Sequence, residues 1–335
     1  MSDAWRSVHL FRTMVTQGHI FFHSPCFDGV ASAVLAWDFL ELRWGWSDCE
    51  LRPVNYGVRD TWLSTPLPSN SAVVDFLFHP DAAFFADHHA SSFLDRGMRN
   101  LVLRGDPERW LFDAAADSCA GLLWRHVGPV LADVGVDHSA LVQWANKIDA
   151  ARYASVHEAL FSDAPAIQVS WALSTSGDRA LPSTLVRELR RAPLESVADS
   201  PAVVTAFRTA QASVENGLER LKRSARIDDH GVVVFDVDAR GTVVSRYAPY
   251  YLFPEARYSA GIVRSEEDAK IVVMRNPWLD FDSVPLGEIC ARFGGGGHQR
   301  VGAVALKGER VGEARAILGY IVSEIENTET RADAC

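Results

Sequence analysis

The stretch FADHHASSF, residues Phe85 to Phe93, sets an aspartate and two adjacent histidines at the end of an apolar run. The longer run AAFFADHH, from Ala82, has the length and composition of a buried strand, so its polar end falls where a strand leaves a sheet. Such a cluster is either a polar surface turn or a set of metal ligands, and the rest of the chain must decide. Upstream, GHIFFH (Gly18 to His23) reads as another buried strand, followed by the helical pattern DGVASAVLAWDFLELRW. LRPV near Leu51 and SAVVDFLF from Ser71 add two more strand-length runs. Strands alternating with helices predict an α/β domain with a mainly parallel sheet. In such sheets ligands gather beyond the carboxyl ends of the strands. His23, Asp75 and the run Asp87, His88, His89 all fall at such ends.

From Asp117 the pattern turns helical, through SCAGLLWRHVGPVLADVG, HSALVQWANKIDAARY and VHEALF. A polar stretch, RRAPLESVADS, leads into a long amphipathic pattern, PAVVTAFRTAQASVENGLERLKRSA. Beyond it HGVVVFDVD, TVVSRYA, YSAGIVRS and AKIVVMRN read as four strands of a second, smaller α/β domain, closed by the helix VGEARAILGYIVSEIE. The expected division is a catalytic domain over 1–191, a helical connector over 192–225, a substrate-binding domain over 226–328 and a disordered tail over 329–335.

Composition narrows the classes. The chain has 335 residues, 48% of them hydrophobic, with no apolar run of membrane-spanning length. Its opening, MSDAWRSVHLFRTMVTQ, lacks the features of a secretory signal, so the expected location is the cytoplasm. Five cysteines without a CxxC pair argue against both a disulfide framework and a zinc knuckle. A net charge of -10 argues against non-specific binding to duplex DNA but leaves room for a small polyanionic substrate.

Each candidate residue has an ordinary explanation. Asp28 in HSPCFDG caps a helix, Asp75 in VVDF satisfies backbone amides, Asp87 to His89 form a turn, and Asp149 in ANKIDAARY is a solvated carboxylate. Their common placement at one sheet edge, or on a helix able to cover it, favours a shared site. Mixed imidazole and carboxylate donors suit a divalent ion, manganese ahead of zinc or calcium. In the second domain, ARFGGGGHQRVGA carries four consecutive glycines, Gly294 to Gly297, read as neither helix nor strand. Such a run is either a flexible linker or a backbone nest for an anion, and His298 and Arg300 directly after it favour the nest.

The order H-x-x-x-x-D-G, V-V-D, D-H-H, a later helix aspartate and a distal G-G-G-G-H resembles the DHH phosphoesterase superfamily with its DHHA1 second domain. RecJ-type exonucleases and NrnA-type oligoribonucleases belong to it, and the resemblance spans about Gly18 to Ala316. It implies two α/β domains with the active site in the cleft between them, and two manganese ions. His23 and Asp75 would bind the first ion; Asp28, Asp75, His88 and Asp149 the second, with Asp75 bridging. Asp87 would orient His88, and His89 would face the scissile phosphate. Gly294 to Gly297 and His298 would bind substrate, with Arg300 beside them and Arg275 in VVMRN as a phosphate-binding arginine. Many members carry an aspartate where this chain has Cys26, which marks a subgroup. There Cys26 ligates as a thiolate, water takes its place, or a single ion suffices.

The implied activity is hydrolysis of phosphodiester bonds in short oligonucleotides or small nucleotides by a metal-bridged hydroxide. Alternatives are a polyphosphate or pyrophosphate hydrolase, and a nucleotide-binding sensor impaired by Cys26. No membrane partner is expected, and the oligomeric state is left open, a homodimer included. Tyr247, Tyr250, Tyr251 and Trp278 are candidates for stacking a base, with ordinary packing the stronger reading for each.

Overall fold

A computed structural model describes residues 16–332, which divide into two compact units. One comprises 16–152 and 168–204, the other 153–167 and 205–332.

The first unit begins β1 (Gln17–His23), α1 (Phe27–Trp44), β2 (Asp48–Val54), β3 (Ser71–Val74) and β4 (Phe84–Asp87). It continues through α2 (Arg96–Arg104), β5 (Trp110–Phe112), α3 (Cys119–Ala132) and α4 (Ser139–Asp149). Its five strands form a parallel sheet in the order β2-β1-β3-β4-β5. Every residue of β3 and β4 is buried, which is why both read as unbroken apolar runs rather than alternating ones. Phe21, Val73 and Phe85 pack on one face with Trp62 and Phe76, whose cluster is held by the Trp62 indole donating to Leu77 O at 3.0 Å. On the sheet's remaining surface α1 and α3 pack together, and α1 is buried from Phe27 to Trp37 without a break.

The strand order decides where a ligand can sit. From β1 the chain turns outward to β2, then crosses back to β3 on the other side. Connections that diverge in this way leave a crevice at the carboxyl ends of the two central strands. His23 closes β1, and Asp75 follows β3 directly.

Next come α5 (Val156–Phe161), α6 (Pro165–Thr175), α7 (Leu181–Leu189), α8 (Leu194–Ala198) and α9 (Pro201–Ser224). The second unit adds β6 (Arg226–Ile227), β7 (Val232–Asp238), α10 (Ala248–Leu252), β8 (Tyr258–Arg264) and β9 (Asp268–Arg275). It ends with α11 (Leu286–Ala291), β10 (Gly296–His298), β11 (Val301–Lys307) and α12 (Ala314–Ala332). Its mixed sheet runs β10-β11-β9-β8-β7-β6, with β7 and β8 the parallel pair. Ile262, Ile271, Val304, Ile321 and Ile325 belong to its core.

Aromatic contacts hold the segment 153–167 within this unit. The Trp278 indole donates to Tyr153 O at 2.9 Å, Tyr153 meets Tyr247 at 5.5 Å and Phe161 meets Tyr251 at 5.2 Å. Tyr250 is buried, its hydroxyl bonded to Met274 O at 2.6 Å. These rings therefore serve packing.

Two readings from the sequence need correction. Thr242 to Ala248 is not a strand: the Val243 amide donates to Ser213 Oγ at 2.9 Å and the Thr242 hydroxyl to Ser213 O at 2.6 Å. The segment's polar groups are thus turned toward α9, where Gly217 lets the backbones meet, since a β-carbon there would lie 1.9 Å from Val243 O. Secondly, α12 runs to Ala332, into the tail for which disorder is expected; residues 333–335 lie outside the described residues.

Candidate metal centre

The DG pair at the start of α1 brings the helix against the end of β1. A β-carbon on Gly29 would stand 2.0 Å from His23 O and 3.2 Å from Asp75 Oδ2. Glycine is therefore required for close approach, and Asp28, in the first turn, is buried beside the strand ends. Gly29→Ala is expected to cost about 2–3 kcal/mol by overpacking against backbone that cannot yield. Urea denaturation of the metal-free protein checks this.

Asp28 is clasped by α3. Its Oδ2 accepts the Cys119 amide at 2.7 Å and its Oδ1 the Ala120 amide at 2.8 Å, the first two N–H groups of the helix. Burial and the charge of Asp149 nonetheless outweigh these bonds and the nearby His88, pushing Asp28 up to about 6.

Asp75 is the most exposed to repulsion and the least satisfied. Its φ of 55° is in the left-handed region, uncommon for a residue other than glycine. Its amide is anchored to Ala86 O at 2.9 Å. Both carboxylate oxygens are buried without a hydrogen-bond donor. His23 Nδ1 lies 3.5 Å from Oδ2 and His89 Nδ1 lies 3.6 Å from Oδ1. Burial, then the charges of Asp28, Asp87 and Asp149, hold the carboxyl well above the usual range.

The DHH run divides its labour. Asp87 accepts the His88 amide at 2.7 Å, the His89 amide at 3.2 Å, the His89 ring Nδ1 at 2.9 Å and the Ser92 hydroxyl. Asp87 therefore orients His89 rather than the His88 ring for which that role is expected. The His88 ring is set by a backbone group, Nδ1 donating to Ala116 O at 3.0 Å. That leaves Nε2 as the edge able to ligate once its proton is displaced, buried 3.2 Å from Asp149 Oδ2 and 3.9 Å from Asp28 Oδ2. Burial opposes protonation of His88, but Asp149 and Asp28 raise it to about 9.

Two three-residue groups emerge, His23 with Cys26 and Asp75, and Asp28 with His88 and Asp149, beside the overlapping set Asp75, Asp87, His88 and His89, each offering ligand atoms within 4.8 Å of one another. Burial, with Asp75, Asp28 and Asp149 adding, pushes the Cys26 thiol well up. Four carboxylates crowded with imidazoles, and a buried carboxylate with no donor, are what a site for positive charge requires. The donor set fits divalent cations.

In the second unit the glycine run has a structural reason. Gly294, at φ 79°, donates to Ala291 O at 3.1 Å, and Gly295 to Cys290 O at 3.0 Å, so both close α11. Gly296 and Gly297 then form β10 against β11, contrary to the expectation of neither helix nor strand. Close packing explains why: a β-carbon would lie 2.1 Å from Ala303 O at Gly295 and 2.2 Å from Val301 O at Gly297. Arg300 is exposed in the turn of this hairpin, and the side chain of His298 lies outside the described residues. Arg275 is buried, donating to Asn276 O at 3.1 Å and to Phe281 O, with its guanidinium 4.1 Å from the Phe281 ring. Arg275→Leu is expected to destabilise the protein by about 2–4 kcal/mol by stranding two carbonyls, read as a lowered denaturation midpoint.

Sequence reasoning missed Ala116, Cys119 and Ala120 because they act through the backbone; the capping serine Ser118 before CAGLLW was the available signal that a helix begins there. No protein-family model and no curated protein matches the sequence. Solved structures do match. A pGpG-specific phosphodiesterase, PggH from Vibrio cholerae, superposes with a TM-score of 0.68 at 17% identity, covering 91% of this chain and 99% of that one. RecJ from Thermus thermophilus in complex with Mn2+ superposes at 0.57 and 12% identity, covering 94% of this chain and 52% of that one. An exopolyphosphatase-related protein from Bacteroides fragilis gives 0.55 at 10% identity, with 93% of each chain covered. The chain has the DHH-family fold. In that fold the acid and imidazole clusters lie at the β1/β3 switch point of the parallel sheet.

Proposed function

We propose that this protein is a divalent-metal-dependent phosphoesterase that hydrolyses phosphodiester bonds of short oligonucleotides or small nucleotides. The observation that carries this reading is the buried Asp75 carboxylate, without a hydrogen-bond donor, between two imidazoles and among three further acids. The fold it shares with a pGpG phosphodiesterase and an exonuclease supports the substrate class. His23, Cys26 and Asp75 would hold one cation, and Asp28, His88 and Asp149 the other, with Asp75 also serving the second. Manganese is the first choice for nitrogen and oxygen donors of this kind. Bound there, such cations would supply activation of water and neutralisation of phosphoryl charge.

The chain's own groups do the rest. Asp87 keeps the proton of His89 on Nδ1, which presents the opposite ring edge to a substrate phosphate. The Ala116 carbonyl likewise keeps the His88 proton on Nδ1, so that Nε2 is left to bind. Tyr56 and Phe76 pack against the His23 ring at 5.1 and 6.3 Å and limit its rotation. In the second unit Gly294 to Gly297, His298 and Arg300 are the proposed substrate contacts, with Arg275 bracing the chain beside Arg300, whose carbonyl accepts its amide at 2.9 Å.

The test is release of mononucleotide from linear dinucleotides, with bisphosphorylated adenosine and polyphosphate in parallel, in manganese, magnesium, zinc and anaerobic iron. Metal-dependent cleavage of the dinucleotide is expected. Turnover of polyphosphate alone would replace this reading with phosphoanhydride hydrolysis. Tight nucleotide binding without turnover in any metal would replace it with a sensor.

A further inference from the structure

Residues 116 to 121, ADSCAG, supply no donor atom to either cation group, yet they touch every member of one of them or the helix that carries it. The Ala116 carbonyl holds His88, and the Cys119 and Ala120 amides hold Asp28. Between them, the buried Ser118 donates its hydroxyl to Asn146 Oδ1 at 2.6 Å, while its oxygen accepts the Gly121 amide at 2.8 Å. The second bond caps α3 and turns the hydroxyl proton toward α4. Asn146 is three residues before Asp149, hence on the same side of that helix about one turn away. Gly121 leaves room for the contact, since a β-carbon there would lie 2.2 Å from Asn146 Oδ1.

Asp149 is the last residue of α4, and Ala151 just beyond it has left the helical region at φ 52°. Its place therefore depends on how α4 docks. The Arg152 to Asp117 pair also joins the two segments, but the Arg152 side chain is 63% exposed and such pairs fix little. The buried Ser118 to Asn146 bond is the stronger constraint.

We propose that Ser118 and Asn146 are positioning residues, a latch between the α3 N-terminus and α4 that sets the spacing of Asp28, His88 and Asp149 for one divalent cation. The inference rests on the reading of that group as a cation site. A displacement of about 1 Å is large compared with the tolerance of a coordination sphere. Loss of the latch therefore weakens one cation rather than the fold as a whole.

The experiment titrates Mn2+ into the metal-free full chain by calorimetry, comparing wild type with Ser118→Ala, Asn146→Ala, Gly121→Ala and Ser118→Thr. Thermal unfolding without metal runs alongside. Ser118→Ala and Asn146→Ala are expected to weaken one equivalent about 10- to 100-fold, leaving the other within about two-fold. Ser118→Thr, which keeps a capping hydroxyl, is expected to bind as wild type. Gly121→Ala removes no polar group but displaces Asn146, and is expected to match Asn146→Ala even if Ser118→Ala fails to fold. Lowered unfolding temperatures with unchanged Mn2+ affinities would make the latch merely structural and overturn the proposal. A wild-type chain that takes up no divalent cation would instead overturn the proposed function, and this inference with it.

Discussion

Asp75→Asn is expected to lower kcat for phosphodiester hydrolysis by about 10³-fold or more, while raising the stability of the metal-free protein. The two effects have one origin. Asp75 sits where burial and three other acids make a negative charge costly, and no donor repays it. An unsatisfied buried acid of this kind is what the proposed cation site requires, and the left-handed φ of 55° at Asp75 itself points the same way. If Asp75 is shared by cations as proposed, removing its carboxylate forfeits several kcal/mol of transition-state stabilisation, and each 1.36 kcal/mol is about tenfold in rate. In the absence of metal the same change relieves repulsion, so the unfolding midpoint should rise by roughly 2–5 °C, from about 1–2 kcal/mol. Steady-state kinetics and calorimetry in chelator check the pair. A stable, active Asp75→Asn protein would remove the foundation of the proposed function.

Divalent cations should stabilise the protein far more at pH 8 than at pH 5.5. Asp28 rises to about 6 from its ordinary 3.8, and Asp75 rises further. A carboxyl raised on folding contributes stability below pH 3.8 that is lost as pH climbs through its folded value. His88, raised from 6.5 to about 9, contributes below pH 6.5 and loses that contribution on the way to 9. His23, lowered by burial and by His89, works the other way near and below pH 6.5. The raised groups outnumber it, so the metal-free protein should weaken steadily from about pH 4 to 9. Cations bind by displacing those protons, and their advantage grows over the same interval. At a thousandfold excess over Kd the gain is about 4 kcal/mol for one ion, roughly 10 °C in Tm. Melting curves with manganese or with chelator, from pH 5.5 to 8, decide it. A metal-induced shift that is flat or falls with pH would contradict the assignment of these carboxyls and His88 as ligands.

The candidate donors were legible because chemistry and burial pattern coincide at strand ends. His23, Asp75 and the Asp87 to His89 run each interrupt an apolar segment at its carboxyl edge, and the parallel sheet carries them to one crevice. The glycine run was legible as unusual, but its reason was not: Gly295 and Gly297 are needed for contact with β11, a strand that follows a tight turn. The resemblance makes Arg275 in VVMRN a phosphate-binding arginine, but nothing in that run shows that the sheet buries it against Phe281 and two carbonyls. Thr242 to Ala248 has strand composition, yet α9 claims its polar groups.

By itself the sequence determined which segments are apolar, where each one meets a polar group, and hence the α/β order and the inventory of acids and imidazoles. Periodicity reports burial along a local stretch, and that information needs no partner. Only the tertiary structure decided that Asp28 is held by amides more than ninety positions away, that Asp87 serves His89, and that Asp75 is left without a donor. Those outcomes depend on strand register and helix docking, where backbone groups common to every residue make the contacts and leave no trace in side-chain identity.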